Sequence, residues 1–222
     1  MDVIGVSPNK LSNTLVESCE FRDNTAQVGG AVEVINNNVN FECCNFNNNF
    51  SSIAAGALSA INIFSFKNDG VKGVVNVNKS TFTNNVTAGD TVLSIEQDTA
   101  VGALIDLGTL RSHEGGGACS VHLDGILNIH NSTFEGNVAR KGDGGALLNG
   151  RSKLKPGFNN ESAITTVSDC KFLNNTALFG NGGAIANIGD NNVKLVIRDT
   201  KFKCNRAPNG KGNNVYESAV IL

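Results

Sequence analysis

The sequence predicts an all-β fold: a single-stranded, right-handed parallel β-helix of about six to eight coils. Three observations predict it. A Phe-x-x-Asn unit recurs six times, a Gly-Gly-Ala-aliphatic unit follows several of its copies, and the intervening runs alternate apolar and polar residues without a sustained helical period.

The Phe-x-x-Asn pairs are Phe21/Asn24, Phe46/Asn49, Phe82/Asn85, Phe134/Asn137, Phe172/Asn175 and Phe202/Asn205. A small side chain lies two residues before each Phe (Cys19, Cys44, Ser80, Ser132, Cys170, Thr200). Another lies two residues after each Asn (Ala26, Ser51, Thr87, Ala139, Ala177, Ala207). Gly29-Gly30-Ala31-Val32, Gly144-Gly145-Ala146-Leu147 and Gly182-Gly183-Ala184-Ile185 follow three units, and Ala55-Gly56-Ala57-Leu58 nearly matches in the second. Successive Phe residues are 25, 36, 52, 38 and 30 positions apart, so a fixed corner alternates with connections of variable length. Val32-Glu33-Val34-Ile35, Val74-Val75-Asn76-Val77, Ile126-Leu127-Asn128-Ile129 and Leu195-Val196-Ile197 read as strands.

A solenoid explains why every unit needs the same residues. Equivalent positions of successive turns lie ~4.8 Å apart along the axis, so the Phe rings form an apolar ladder inside the coil. Asn amides at a corner bond one another, small neighbours let the chain bend, and the Gly pair supplies positive φ or a close backbone approach. The rod would be roughly 30–40 Å long. Leucine-rich, helical and propeller repeats lack their signatures here. Residues 1–222 are expected to form one domain, with an irregular insertion or degenerate coil around 86–133; Val101-Gly102-Ala103-Leu104 hints at the latter.

Composition narrows the function. Asn occurs 33 times in 222 residues, far above ordinary usage. Eighteen Lys and Arg against 20 Asp and Glu give a net charge of −2, too weak a field for a general nucleic-acid or anionic-membrane binder. No apolar run approaches the ~18 residues of a membrane-spanning helix, so no membrane insertion is expected. Met1 to Pro8 shows no basic or long apolar segment of a signal peptide, as for an intracellular chain, a mature piece or a fragment. Ala219-Val220-Ile221-Leu222 is apolar and no polar cap is expected at either end, which would favour end-to-end self-association.

Candidate chemical groups are few. Of the six cysteines, Cys19 and Cys44 share a column of adjacent turns, within reach of a disulfide; a column of buried reduced thiols is the other reading. No Cys-x-x-Cys pair with convergent His suggests a metal, and no cofactor is expected. Sequons begin at Asn49, Asn78, Asn85, Asn131, Asn160 and Asn174; Asn49 and Asn85 belong to the ladder, leaving Asn78, Asn131 and Asn160 as the better glycosylation candidates. The long third interval carries Glu96, Asp98, Asp106, His113, Glu114, His122, Asp124 and His130, scattered rather than grouped as catalytic carboxylates are. Lys141 to Asp143 and Arg151 to Lys155 read as solvated charged loops, and Gly142-Asp143-Gly144-Gly145 lacks the period of a calcium-binding repeat. No catalytic residue is assigned.

Phe-x-x-Asn joined to Gly-Gly-Ala-(Ile/Leu/Val) resembles the repeats of the chlamydial polymorphic outer membrane proteins, from Cys19 to about Tyr216. The resemblance implies a pectin-lyase-like β-helix displayed outside the cell or on its surface, structural or adhesive rather than enzymatic. It implies protein partners that use coil ends, faces or loops. Two units depart from the pattern: the third reaches Gly116-Gly117-Ala118 only after a long interval, and the sixth has Gly212-Asn213-Asn214. The alternative is a carbohydrate-active enzyme (lyase- or hydrolase-like) or a viral fibre or tailspike β-helix. One Tyr and no Trp leave little for sugar stacking, which weighs against it.

Overall fold

The structure, a computed structural model, describes residues 1–4, 11–62, 71–89, 93–94, 109–110, 115–150, 162–189 and 191–218. Four parallel sheets run the length of a solenoid, and the chain visits them in a fixed order. We call them sheets A to D. One turn contains Asn13–Glu17 in sheet B, Glu20–Arg22 in sheet C, Thr25–Val28 in sheet D and Val32–Ile35 in sheet A. Sheets A, B, C and D hold seven, six, six and five strands, so six turns stack above one another. No strand within these four sheets pairs antiparallel.

The Phe residues occupy one register column of sheet C, from Phe21 against Phe46 to Phe172 against Phe202. Their rings stack face to face, with centroids 4.7, 4.5, 4.7, 4.7 and 5.3 Å apart. The central four are fully buried, and each contributes about 1.5–3 kcal/mol of apolar burial. Val16, Phe41, Val77, Ile129, Val167 and Ile197 of sheet B face them, alternating along each strand with outward residues that are polar except at Leu15 and Val196 in the columns beside them.

The Asn column closes the corner between sheets C and D. Each Nδ2 donates to the Oδ1 of the next turn: Asn24 to Asn49, Asn49 to Asn85, Asn85 to Asn137, Asn137 to Asn175 and Asn175 to Asn205, at 2.8–3.0 Å. The same Oδ1 also accepts from the backbone N–H of the Asn below, and the second Nδ2 hydrogen reaches the carbonyl of the preceding turn's Phe. Every polar group of a buried amide is thereby satisfied.

Two further corner columns adopt the left-handed conformation. One follows sheet B (Ser18, Cys43, Lys79, Asn131, Asp169, Asp199) and the other follows sheet C (Asp23, Asn48, Asn84, Gly136, Asn174, Cys204). Asn and Asp tolerate positive φ better than other side chains, which accounts for part of the Asn excess. The Gly-Gly pair divides its labour. The first Gly has φ between 56° and 70° at Gly29, Gly116, Gly144, Gly182 and Gly212. A Cβ on the second would lie 2.0–2.2 Å from a carbonyl oxygen of the next turn at Gly30, Gly56, Gly117, Gly145 and Gly183.

The small residues before each Phe do more than avoid a clash. Their hydroxyl or thiol donates to the carbonyl two residues earlier, as Ser80 does to Asn78, Ser132 to His130 and Thr200 to Arg198. Their oxygens accept the backbone N–H of the turn below, as from Cys44 to Ser80 and Ser80 to Ser132. The column is a hydrogen-bonding column.

The sixth unit's departure is a closure. Asn205 Nδ2, with no Asn above it, donates to Asn214 Oδ1 of its own turn, and the Ala207 N–H donates to Asn213 Oδ1. These two amides take the bonds that the next turn takes elsewhere in the coil, a local polar cap at this corner of the sixth turn. The long third interval contains the last part of the third turn and the start of the fourth. Val86–Thr87 lies in sheet D and Cys119–His122 in sheet A, while Leu93–Ser94 pairs antiparallel with Thr109–Leu110 outside the solenoid sheets. Val101 to Leu104 lies outside the described residues, as do Ala219 to Leu222.

Candidate functional site

A dense polar cluster lies at the corner between sheets A and B in the middle turns. Two of the longer connections between sheets A and B follow Leu58–Ile61 and Leu147–Gly150. Between them the third turn passes from Cys119–His122 to Ile126–His130 through only three residues. Leu123 and Asp124 both have positive φ there, and the Gly125 N–H closes the bend on the His122 carbonyl at 2.8 Å.

Asp124 is buried and holds the three turns together. Its Oδ2 lies 3.0 Å from Lys72 Nζ, and its Oδ1 accepts from the Ser162 N–H and the Ser162 hydroxyl, both at 2.7 Å. Asn62 Nδ2 donates to the Asp124 and Gly73 carbonyls, and the Gly73 N–H returns a bond to Asn62 Oδ1. Lys72 also donates to Ser162 Oγ at 3.3 Å. Carboxylate, ammonium and hydroxyl thus meet, but their protons point the wrong way for nucleophilic catalysis. Lys72 donates to the Asp124 carboxylate and to the Ser162 oxygen, and the Ser162 hydroxyl spends its hydrogen on that carboxylate. The cluster straps residues from three turns; it is not arranged to activate a nucleophile.

A second constellation lies on the outer face of sheet B. His130 Nδ1 is 3.0 Å from Ser168 Oγ and 3.3 Å from Asp169 Oδ2. Ser, His and Asp are the residues of a hydrolytic triad, but a triad divides acid and nucleophile between the two ring nitrogens. Here both approach Nδ1, and the His130 and Asp169 side chains are more than half exposed, so the set lacks both the relay and the dry environment.

The other sequence candidates disperse. Glu96, Asp98, Asp106, His113, Glu114 and Asn160 lie outside the described residues, as does Arg151 to Lys155. His122 is buried in its strand, whereas His130 is exposed at the end of the strand that follows it. Asp143 Oδ1 accepts from the Asn181 N–H and Nδ2, a contact between neighbouring turns. Among the described residues, no group of three or more His, Cys, Asp or Glu is placed to hold a metal ion. Asn131 is exposed, whereas Asn78 is half-buried with Nδ2 on the Glu42 carboxylate at 3.0 Å. Asn174, passed over in the sequence, is also exposed at a corner.

All six cysteines are free thiols, Cys19 and Cys44 included. Cys44 Sγ approaches the Glu42 and Val16 carbonyls at 3.3 and 3.4 Å, and Cys170 Sγ the Ser168 carbonyl at 3.0 Å. Burial pushes the Cys119 thiol well above the ordinary value of 9.0 and raises Cys44 and Cys170 less strongly. Cys19, Cys43 and Cys204 are exposed. No local pattern announced the Lys72–Asp124–Ser162 strap: its members are up to 90 residues apart, and only the register of the turns brings them together.

Residues 131–150, the stretch with Phe134, Asn137 and Gly144-Gly145-Ala146-Leu147, match the Chlamydia polymorphic membrane protein repeat. No curated protein and no solved structure matches the chain.

Proposed function

We propose that the chain is a non-enzymatic module of a cell-surface or outer-membrane protein, a rigid β-helical scaffold that presents flat sheet faces and variable connections to other proteins. The carrying observation is the match of residues 131–150 to the membrane-protein repeat, within a coil whose recurring columns all serve internal stacking. The Phe, Asn, Ser/Cys/Thr and Gly columns use their chemistry on one another, so the repeat motif specifies a rod rather than a site. Variation is confined to connections and outward faces, where a rigid scaffold carries recognition. An adhesive or coat role fits this division.

The test has two arms. Antibodies against the chain should label intact cells of the source organism, and the purified chain should leave acidic and neutral polysaccharides intact. Labelling only after lysis overturns the surface reading. Turnover of a glycan that Asp124→Asn abolishes establishes the carbohydrate-active alternative instead.

A further inference from the structure

The outer face of sheet B carries charge and apolar side chains in an order that complements itself. Register places Glu17, Glu42, Asn78, His130, Ser168 and Arg198 in one outward column from first turn to last. A neighbouring column reads Leu15, Asn40, Asn76, Asn128, Thr166 and Val196. One column therefore runs from acid to base. The other has exposed aliphatic residues at its two ends, Leu15 at 62% and Val196 at 39% exposure, with amides between them. The amides are already bonded along the column, Asn76 to Asn40 at 2.8 Å and Asn128 to Asn76 at 3.0 Å, so the face is flat and preorganised.

We propose that this face binds a second copy of the chain, with the two solenoid axes antiparallel. A twofold axis parallel to the strands reverses the order of turns and preserves position along each strand. It sets Glu17 against Arg198 and Leu15 against Val196, twice per pair of chains, with Asn76 facing Asn128 near the centre. Every charged or apolar end residue of these two columns meets its complement in one operation. Glu17 and Arg198 form no ion pair within the described chain. At the sixth turn, Asn213 and Asn214 already occupy Asn205 Nδ2 and the Ala207 N–H, two of the groups that end-to-end stacking would use. Six strands by five residues cover about 400 Å² per copy, or ~800 Å² in total, which is small for a specific interface. The pair is accordingly weak and salt-sensitive.

Sedimentation velocity over a concentration series tests this, at low and high salt, on the 222-residue chain. A monomer–dimer equilibrium that salt shifts to monomer is expected. Glu17→Arg or Arg198→Glu alone should weaken the dimer at least about tenfold, and the two together should restore it. Circular dichroism of each variant checks its fold. A second readout does not depend on the charge variants: with Leu15→Cys and Val196→Cys in one chain whose exposed Cys19, Cys43 and Cys204 are replaced by Ser, mild oxidation should give a covalent dimer and no longer species. A strictly monomeric chain, single reversals without effect, a double variant that stays monomeric, or chains that grow beyond two would each overturn the proposal. Capture of a sulfated polysaccharide by the Lys194–Arg198 end of a monomer would overturn it too.

Discussion

Replacing Asn137 with Ala should remove the central rung of the amide ladder while leaving the fold's apolar core untouched. Asn137 is fully buried in the fourth turn. Its Oδ1 is the acceptor for both the Asn85 N–H and Asn85 Nδ2, each at 3.0 Å, and its Nδ2 serves the Phe82 carbonyl and Asn175 Oδ1 at 2.9 Å. The substitution strands two buried donors of Asn85 in the turn below and removes the two bonds that Asn137 donates, one to the Phe82 carbonyl below and one to Asn175 Oδ1 above. An unsatisfied buried group costs about 1–3 kcal/mol, so two stranded donors set a loss of roughly 2–6 kcal/mol. That is a large share of the ~5–15 kcal/mol that stabilises an ordinary domain. Urea unfolding followed in parallel by circular dichroism and proteolysis measures it, with Asn131→Gly as the control. Asn131 is exposed at a left-handed corner, where Gly is at home, and its replacement should change stability by less than about 0.5 kcal/mol. A loss below about 1 kcal/mol for Asn137→Ala would refute the view that the ladder satisfies otherwise buried polar groups.

Further outcomes follow from the same geometry. Gly145→Ala places a Cβ 2.0 Å from the Gly183 carbonyl, and should lower the melting temperature far more than Gly136→Ala, whose Cβ meets only the Asn84 side chain. Asn214→Ala should destabilise the last turn by about 1–2 kcal/mol, seen as faster hydrogen exchange at Asn205 with little change at Asn85. Thiol titration of the folded chain should modify Cys19, Cys43 and Cys204 first and leave Cys119 inert until unfolding. The folded state holds the Cys119 proton at pH values where the unfolded chain has lost it. Stability is therefore full below the ordinary thiol value of 9.0 and declines as the pH rises above it. Cys119→Ala should flatten that decline in a pH series of unfolding curves.

The coil was legible because its columns are chemically narrow. A flat aromatic ring suits the Phe column, an amide donates two bonds and accepts two at each rung of the ladder, and only Gly fits under the next turn's carbonyl. Repetition at irregular spacing then revealed the architecture without any strand having to be located first. The left-handed corner after sheet B was illegible because φ alone defines it: Ser18, Cys43, Lys79, Asn131, Asp169 and Asp199 share no side-chain chemistry. The hydrogen-bonding role of Cys44, Ser80 and Ser132 was hidden behind their size, since a small residue at a bend already had an explanation. The strap at Asp124 needed coordinates, because variable connections separate its members and no local spacing encodes their approach. The cap formed by Asn213 and Asn214 was visible only as a departure from Gly-Gly-Ala, and its purpose emerged when Asn205 was found to need a partner.

The central claim is that displacement along the rod counts turns and ignores the length of chain between them. Pairs of spin labels on outward positions of sheet C, with the exposed thiols replaced by Ser, test it directly. Glu20 and Thr81, Asn45 and Thr133, and Thr133 and Lys201 are 61, 88 and 68 residues apart, and each pair is separated by two turns. Stacked turns predict the same separation for all three, near 10 Å between backbones. Three different separations, increasing with the number of intervening residues, would contradict the stacking on which the fold, the ladders and the proposed role depend.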